Sequence, residues 1–173
     1  MAGIMGNKTK MVIFDVDGVL TDGKIMLDEN GTETKSFNAM DGAGIKYLLR
    51  SGIGVAFITG RRSGAVALRA RELGVEDVYQ GVKVKLEAYE KLLEKHSLHD
   101  DEVCYVGDDL PDIPVMRRSA FPVAVASARL EVKNEAAYVT RAEGGAGAAR
   151  EVAERILKEQ GRWDSIVSRY YQA

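Results

Sequence analysis

Apolar runs and amphipathic stretches alternate along this chain. The run KMVIFDVD, residues 10–17, is apolar until Asp15 and Asp17 interrupt it, which predicts a buried strand ending in carboxylates. Residues 41–51 place Ile45, Leu48 and Leu49 on one face and predict a helix. IGVAFIT, 53–59, is a second strand. Ser63 then reads as an N-cap, Val66, Ala70 and Leu73 give a helical stripe, and Gly74 is its stop. DVYQG, 77–81, is a short third strand, followed by a helix over 85–96 with Leu86, Tyr89, Leu92 and Leu93 inward. VCYVGD, 103–108, AFPVAVA, 120–126, and AAYVT, 136–140, make strands four, five and six. Apolar pairs at 148/149, 152/153 and 156/157 mark a helix over 147–160, and residues 161–173 are read as a C-terminal tail.

Strands that alternate with helices predict an α/β fold. The expected architecture is a doubly wound, mainly parallel, Rossmann-like sheet in one domain spanning residues 1–173. One insertion breaks the alternation. Between strand one and the first helix, residues 23–37 place two short strand-like arms around Asn30-Gly31, a hairpin signal. A β-hairpin is therefore expected above the carboxyl end of strand one, the edge where such sheets bind ligands. No large cap domain is expected.

Composition narrows the class. The chain is 46% hydrophobic and 29% charged, with 24 basic and 26 acidic residues and a net charge of −2. There is no basic excess to suggest nucleic acid or an anionic membrane surface. No apolar run approaches the length that crosses a bilayer, and the first ten residues lack the apolar core of a signal peptide. One cysteine, Cys104, cannot form an internal disulfide and reads as a small core residue. A reducing cytoplasm is the expected compartment.

Candidate chemistry collects at the ends of the strands. Asp15 and Asp17 follow strand one, Thr59 follows strand two, Lys85 opens the helix after strand three, and Asp108, Asp109 and Asp112 follow strand four. Carboxylates without histidine or thiolate form an all-oxygen set, which suits Mg²⁺. A hydroxyl, an ammonium and a helix N-terminus beside it suit a phosphoryl group. On strand one the roles separate. Asp15 is expected to attack phosphorus, and Asp17 to protonate the leaving alkoxide and later deprotonate water. Gly18 lets the chain turn sharply past them. Asp22 reads as the turn into the hairpin.

DVDGVLTDG, ITGR, QGVKVK and GDDLPD resemble the four motifs of haloacid dehalogenase-type phosphatases. The second Asp, Asp17, fits the members that hydrolyse phosphate monoesters. The resemblance runs further. The hairpin in place of a cap, ITGRRS, YQGVKVKLEAYE, YVGDDLPDIPVM and YVTRAEGGAGAARE are similar to the 3-deoxy-D-manno-octulosonate 8-phosphate (Kdo 8-phosphate) phosphatase family. The resemblance implies release of the sugar acid Kdo for lipopolysaccharide synthesis through an aspartyl-phosphate. It makes Asp15 the nucleophile, Asp17 the general acid/base, Thr59 the second-motif hydroxyl, Lys85 the third-motif lysine and Asp108 a metal-ligating carboxylate. Mg²⁺ is then bound by Asp15, the Asp17 backbone carbonyl and Asp108, with Asp109 and Asp112 in support. Lys83 is a rival to Lys85, but spacing from Gln80-Gly81 favours Lys85.

The resemblance also implies a homotetramer in which hairpins pack together and a neighbour closes each active site. Ile25, Met26 and Leu27 form an apolar arm that fits this. Arg61, next to Gly60, is expected to pair with the sugar carboxylate, since a guanidinium matches a planar carboxylate. Asn38 and Asp41 read as pocket-edge residues. Ala146 departs from relatives that carry Arg there, so Arg141, Arg150 or the tail would take its part. The tail either frays or reaches over a neighbouring site. Related phosphatases of nine-carbon sugar acids tend to carry Glu in place of Arg61, and a nine-carbon keto-acid phosphate or another small phosphate ester is the alternative substrate. A phospho-receiver signalling domain shares the acidic pair, Thr, Lys and Mg²⁺, but needs a lone Asp after strand three, where this chain has Gln80-Gly81.

Overall fold

The computed structural model of the protein describes residues 6–171. Strand β1 (Met11–Phe14) is buried at every position. A two-stranded antiparallel hairpin follows, β2 (Met26–Leu27) and β3 (Glu33–Thr34), with Met26 opposite Thr34 and Leu27 opposite Glu33. The hairpin forms, but its loop spans residues 28–32 rather than Asn30-Gly31 alone. The Asp28 carboxylate holds that loop by accepting from the Asn30 and Thr32 amides at 2.9 and 2.7 Å.

The remaining strands are β4 (Gly54–Thr59), β5 (Asp77–Gln80), β6 (Val103–Gly107), β7 (Phe121–Ala124) and β8 (Tyr138–Val139). They join β1 in one six-stranded sheet, in the order β5-β4-β1-β6-β7-β8. Every pairing is parallel, with Ile13 between Ala56 on one side and Tyr105 on the other. Both side-chain faces of β1 and β6 are buried, so helices must cover the sheet on both sides. The parallel, doubly wound expectation holds.

Topology then locates the site. The chain moves from β1 outward through β4 to β5, then returns to β6 and moves outward the other way. The direction reverses between β1 and β6, and the crevice beyond the carboxyl ends of two such strands is where ligands bind. Asp15 leaves β1 there, and Asp108 leaves β6.

The helices are α1 (Ala39–Arg50), α2 (Gly64–Leu73), α3 (Lys85–His96), α4 (Ile113–Met116), α5 (Leu130–Glu135), α6 (Ala148–Glu159) and α7 (Trp163–Tyr171). Ser63 occupies the N-cap position of α2 but its side chain makes no cap bond. Its amide instead donates to Gln80 Oε1 at 2.7 Å, tying α2 to the end of β5. Helix α2 does end at Gly74, in the left-handed conformation. Through residue 171, the expected tail is helix α7, docked on its own chain. Ile166 is buried, and Trp163 and Tyr170 lie edge-on to Tyr47 of α1, ring centroids 6.0 and 6.3 Å away. Residues 172–173 lie outside the described residues. Arg150 is also committed, over the Tyr47 and Trp163 rings and paired with Glu154 at 2.7 Å.

Candidate active site

The cleft at the switch point is lined by Asp15, Asp17, Thr59, Gly60, Arg61, Lys83, Lys85, Asp108, Asp109 and Asp112, among others. These ten come from four separate strand-end segments, after β1, β4, β5 and β6, that a parallel sheet brings to one edge. Glycine makes their approach possible. Gly18 adopts φ +93°, and a Cβ there would stand 2.0 Å from Asp108 Oδ2. A Cβ on Gly144 would stand 1.7 Å from the Gly18 carbonyl oxygen, so the 141–147 loop can close behind the turn only without one.

Lys85 is the hub of the buried charge. Its ammonium lies 2.7 Å from Asp15 Oδ1 and 2.7 Å from Asp112 Oδ1. Burial alone would lower its pKa, but the two carboxylates outweigh that and raise it, so it stays charged. Asp112 is fully buried and fully engaged. Its Oδ1 accepts from Lys85 and from the Tyr105 hydroxyl at 2.6 Å, and its Oδ2 from the amides of Asp108 and Asp109 at 3.0 and 3.2 Å. Four donors use the lone pairs a carboxylate has. Asp112 therefore orients Lys85 and the turn after β6. Asp109 caps that turn, accepting from the Leu110 amide at 2.8 Å, and is exposed at the cleft.

Asp15 and Asp108 are less satisfied. Oxygens of Asp15, Asp108 and Asp112 lie within 4.8 Å of one another. Asp108 Oδ1 is buried and has no hydrogen-bond partner. Burial, then the charge of Asp112, pushes the Asp15 carboxyl up to about 6 against the pull of Lys85. Burial, then Asp15 and Asp112, pushes Asp108 up to about 8. A buried acceptor without a donor, beside carboxylates that repel, fits a hard divalent cation. The donor set is all oxygen, which suits Mg²⁺ over zinc.

Asp17 faces the hairpin. Lys35, next after β3 and almost shut off from solvent, pairs with Asp17 Oδ1 and lies 3.1 Å from Glu33 Oε1. Glu33 in turn holds Arg61, with Nη2 2.5 Å from Oε2. The Arg61 hydrogen bond, helped by Lys35, draws the Glu33 carboxyl down to about 2. Lys35 and Glu33 were absent from the sequence reading. They stand two apart on one arm and so share a face, and that period-two spacing was the available signal. Thr59 is buried, and its hydroxyl accepts from the Arg61 amide at 3.4 Å.

Asn38 and Asp41 do not line this cleft. Asn38 is the N-cap of α1, accepting from the Met40 and Asp41 amides at 2.7 and 3.3 Å. Asp41 is buried and accepts from the amides of Arg150 and Gly147 at 2.9 and 3.3 Å. Helix α6 begins at a glycine with no side-chain cap of its own, and Asp41 supplies one from α1. Asp22 turns the chain, accepting from the Lys24 amide at 3.0 Å.

The same architecture occurs in known proteins. The haloacid dehalogenase-like hydrolase family matches residues 74–152. The chain is 48% identical over 155 residues to the 3-deoxy-D-manno-octulosonate 8-phosphate phosphatase KdsC of Escherichia coli K12, covering 90% of this chain and 82% of that protein. This chain belongs to the Kdo 8-phosphate phosphatase family. A solved probable YrbI family phosphatase from Pseudomonas syringae pv. phaseolica 1448a matches with a TM-score of 0.96 at 46% identity, over 98% of each chain. The Moraxella catarrhalis Kdo 8-phosphate phosphatase, solved with a magnesium ion, a phosphate ion and Kdo, matches with a TM-score of 0.94 at 40% identity, over 96% of this chain and 95% of that one. Kdo 8-phosphate phosphatases are phosphoric monoester hydrolases, and the chain shares the fold of the family's solved members.

Proposed function

We propose that the chain hydrolyses Kdo 8-phosphate to Kdo and inorganic phosphate, with Mg²⁺, as a step toward lipopolysaccharide. The observation that carries this is the convergence of Asp15, Asp17, Thr59, Lys85 and Asp108 on one cleft in a chain 48% identical to KdsC. A carboxylate oxygen of Asp15 attacks phosphorus and forms an acyl-phosphate, while Asp17 gives its proton to the departing sugar oxygen. Asp17 then takes a proton from water, whose oxygen attacks phosphorus and frees phosphate and Asp15. Thr59 and Lys85 hold phosphate oxygens, and Lys85 also keeps Asp15 aimed. Asp15, the Asp17 carbonyl and Asp108 would hold Mg²⁺, with Asp109 and Asp112 in support. When bound, the cation neutralises charge at the phosphoryl group and favours the carboxylate forms of Asp15 and Asp108.

Arg61 takes the sugar carboxylate in this reading. Half-exposed and lining the cleft, it would exchange Glu33 for the substrate's carboxylate. The protein works as a homotetramer in the cytoplasm, with a neighbour closing each site. Support comes from the hairpin arm, where Ile25, Met26 and Leu27 are 41%, 45% and 60% exposed on an otherwise polar insertion.

A phosphate-release screen across sugar phosphates with Mg²⁺ tests the substrate. Kdo 8-phosphate should turn over fastest. A preference for a nine-carbon keto-acid phosphate would replace the substrate and keep the chemistry, and equal rates on all esters would overturn the assignment. Light scattering coupled to gel filtration tests the tetramer, and a monomer at micromolar concentration would refute it.

A further inference from the structure

The far side of the molecule carries a second polar cavity. Between the C-terminal end of α1 and helix α7 lies a cavity of about 150 Å³, into which Arg50, Arg162 and Arg169 all face. Tyr47, Ser51, Ser165 and Tyr170 complete the polar part of its wall, and Ile166 is its apolar part. A space of this size holds a ring or a phosphate group rather than a whole nucleotide.

Arg50, Arg162 and Arg169 are exposed and line one small space, so an anion there would meet three guanidiniums. Among the described residues, none of the three has a carboxylate partner, whereas Arg150 and Arg155 of α6 pair with Glu154 and Glu159. Arg162 is fixed in place, donating from Nη1 to the Ser51 carbonyl oxygen at 2.6 Å. That bond also offsets the partial negative charge at the end of α1, which would otherwise oppose an anion. Its remaining N–H groups stay available. The positive field is felt by Tyr170, whose hydroxyl is held below its usual pKa by the Tyr47 hydrogen bond and by Arg50. Helix α7 is anchored by buried Ile166 and by Trp163 against Tyr47, so the walls do not depend on a ligand to form.

We propose that this cavity between α1 and α7 is a binding site for a compact phosphoryl dianion, gripped by Arg50, Arg162 and Arg169. Guanidinium forks match phosphate oxygens two at a time, and the Tyr170 hydroxyl, which accepts from Tyr47, keeps its own proton to donate to another. The site is separate from the cleft of Asp15 and does not depend on the proposed activity. It takes free phosphate or the terminal phosphate of a small monoester. A bound dianion would clamp α7 to α1.

The test is equilibrium dialysis of inorganic phosphate, and in parallel of glycerol phosphate, at constant ionic strength set with chloride. The wild-type chain with Mg²⁺ is compared with Arg50→Gln/Arg169→Gln, its fold checked by circular dichroism. The wild type should bind one more phosphate per chain than the variant. Trp163, the only tryptophan, should report that extra site by a saturable change in fluorescence absent from the variant. The single variant Arg169→Gln, altered at an exposed position, should weaken the site by about tenfold. Tighter uptake of glycerol phosphate would identify a monoester as the ligand, and equal or weaker uptake the free anion. Equal phosphate stoichiometry in wild type and both variants would overturn the proposal.

Discussion

Lys35 of the hairpin reaches the carboxylate of Asp17, the group assigned to proton transfer. Only 1% of the Lys35 side chain is exposed, so this pair anchors the insertion over the cleft as well as orienting Asp17. Lys35→Met removes the donor and leaves Asp17 and Glu33 facing each other. Stability should fall by about 1–3 kcal/mol, the range for stranding a buried polar partner. Turnover should fall more than the Michaelis constant rises, because Asp17 loses its aim. Urea unfolding and steady-state kinetics read both, and wild-type turnover would deny Lys35 any part in placing Asp17.

Asp15→Asn should reduce turnover to background while the folded state persists. The carboxyl of Asp15 is pushed up to about 6, so its charged form is strained at neutral pH and an amide relieves repulsion from Asp108 and Asp112. Lys85 keeps Asp112 as a partner at 2.7 Å. Measured phosphate release and the thermal midpoint check this. Residual turnover near wild type would remove Asp15 as the nucleophile.

Asp41→Ala tests the reassignment of that residue. It should lower stability by roughly 1–3 kcal/mol, since two amides at the start of α6 lose their acceptor. The Michaelis constant should not change, because Asp41 lies under α6 and not in the cleft. A raised Michaelis constant with unchanged stability would restore it as a substrate residue.

What the sequence could and could not show follows from distance along the chain. Strands and the carboxylates at their ends were legible because an apolar run and its last residue are adjacent, and parallel topology does the rest. Helix α7 was not. Its contacts are aromatic and non-local, Trp163 and Tyr170 against Tyr47, and only Ile166 is buried. Asp41 looked like a pocket residue because it follows the hairpin, yet the amides it caps are more than a hundred positions away. The Lys35–Glu33–Arg61 chain was hidden for the same reason. A hairpin's face can be read from its spacing, but which strand-end carboxylate that face meets depends on how the insertion folds back.

Acidity should act in opposite senses with and without the metal. In the chelated protein, Asp15 and Asp108 titrate at about 6 and about 8, well above the usual carboxylate value of 3.8. The folded state then keeps protons that the unfolded chain has already released, so stability falls as pH rises from about 4 to about 8. The two acids repel each other, so the fall is shared between them and amounts to a few kcal/mol, roughly. Mg²⁺ favours the carboxylates and should flatten or reverse that slope, because the cation binds most strongly where protons no longer compete. Urea midpoints at about pH 5 and about pH 8, with chelator and with saturating Mg²⁺, measure the difference. A chelated protein that is no less stable at the higher pH would mean that Asp15 and Asp108 are not the strained pair described. A slope untouched by Mg²⁺ would place the cation away from them.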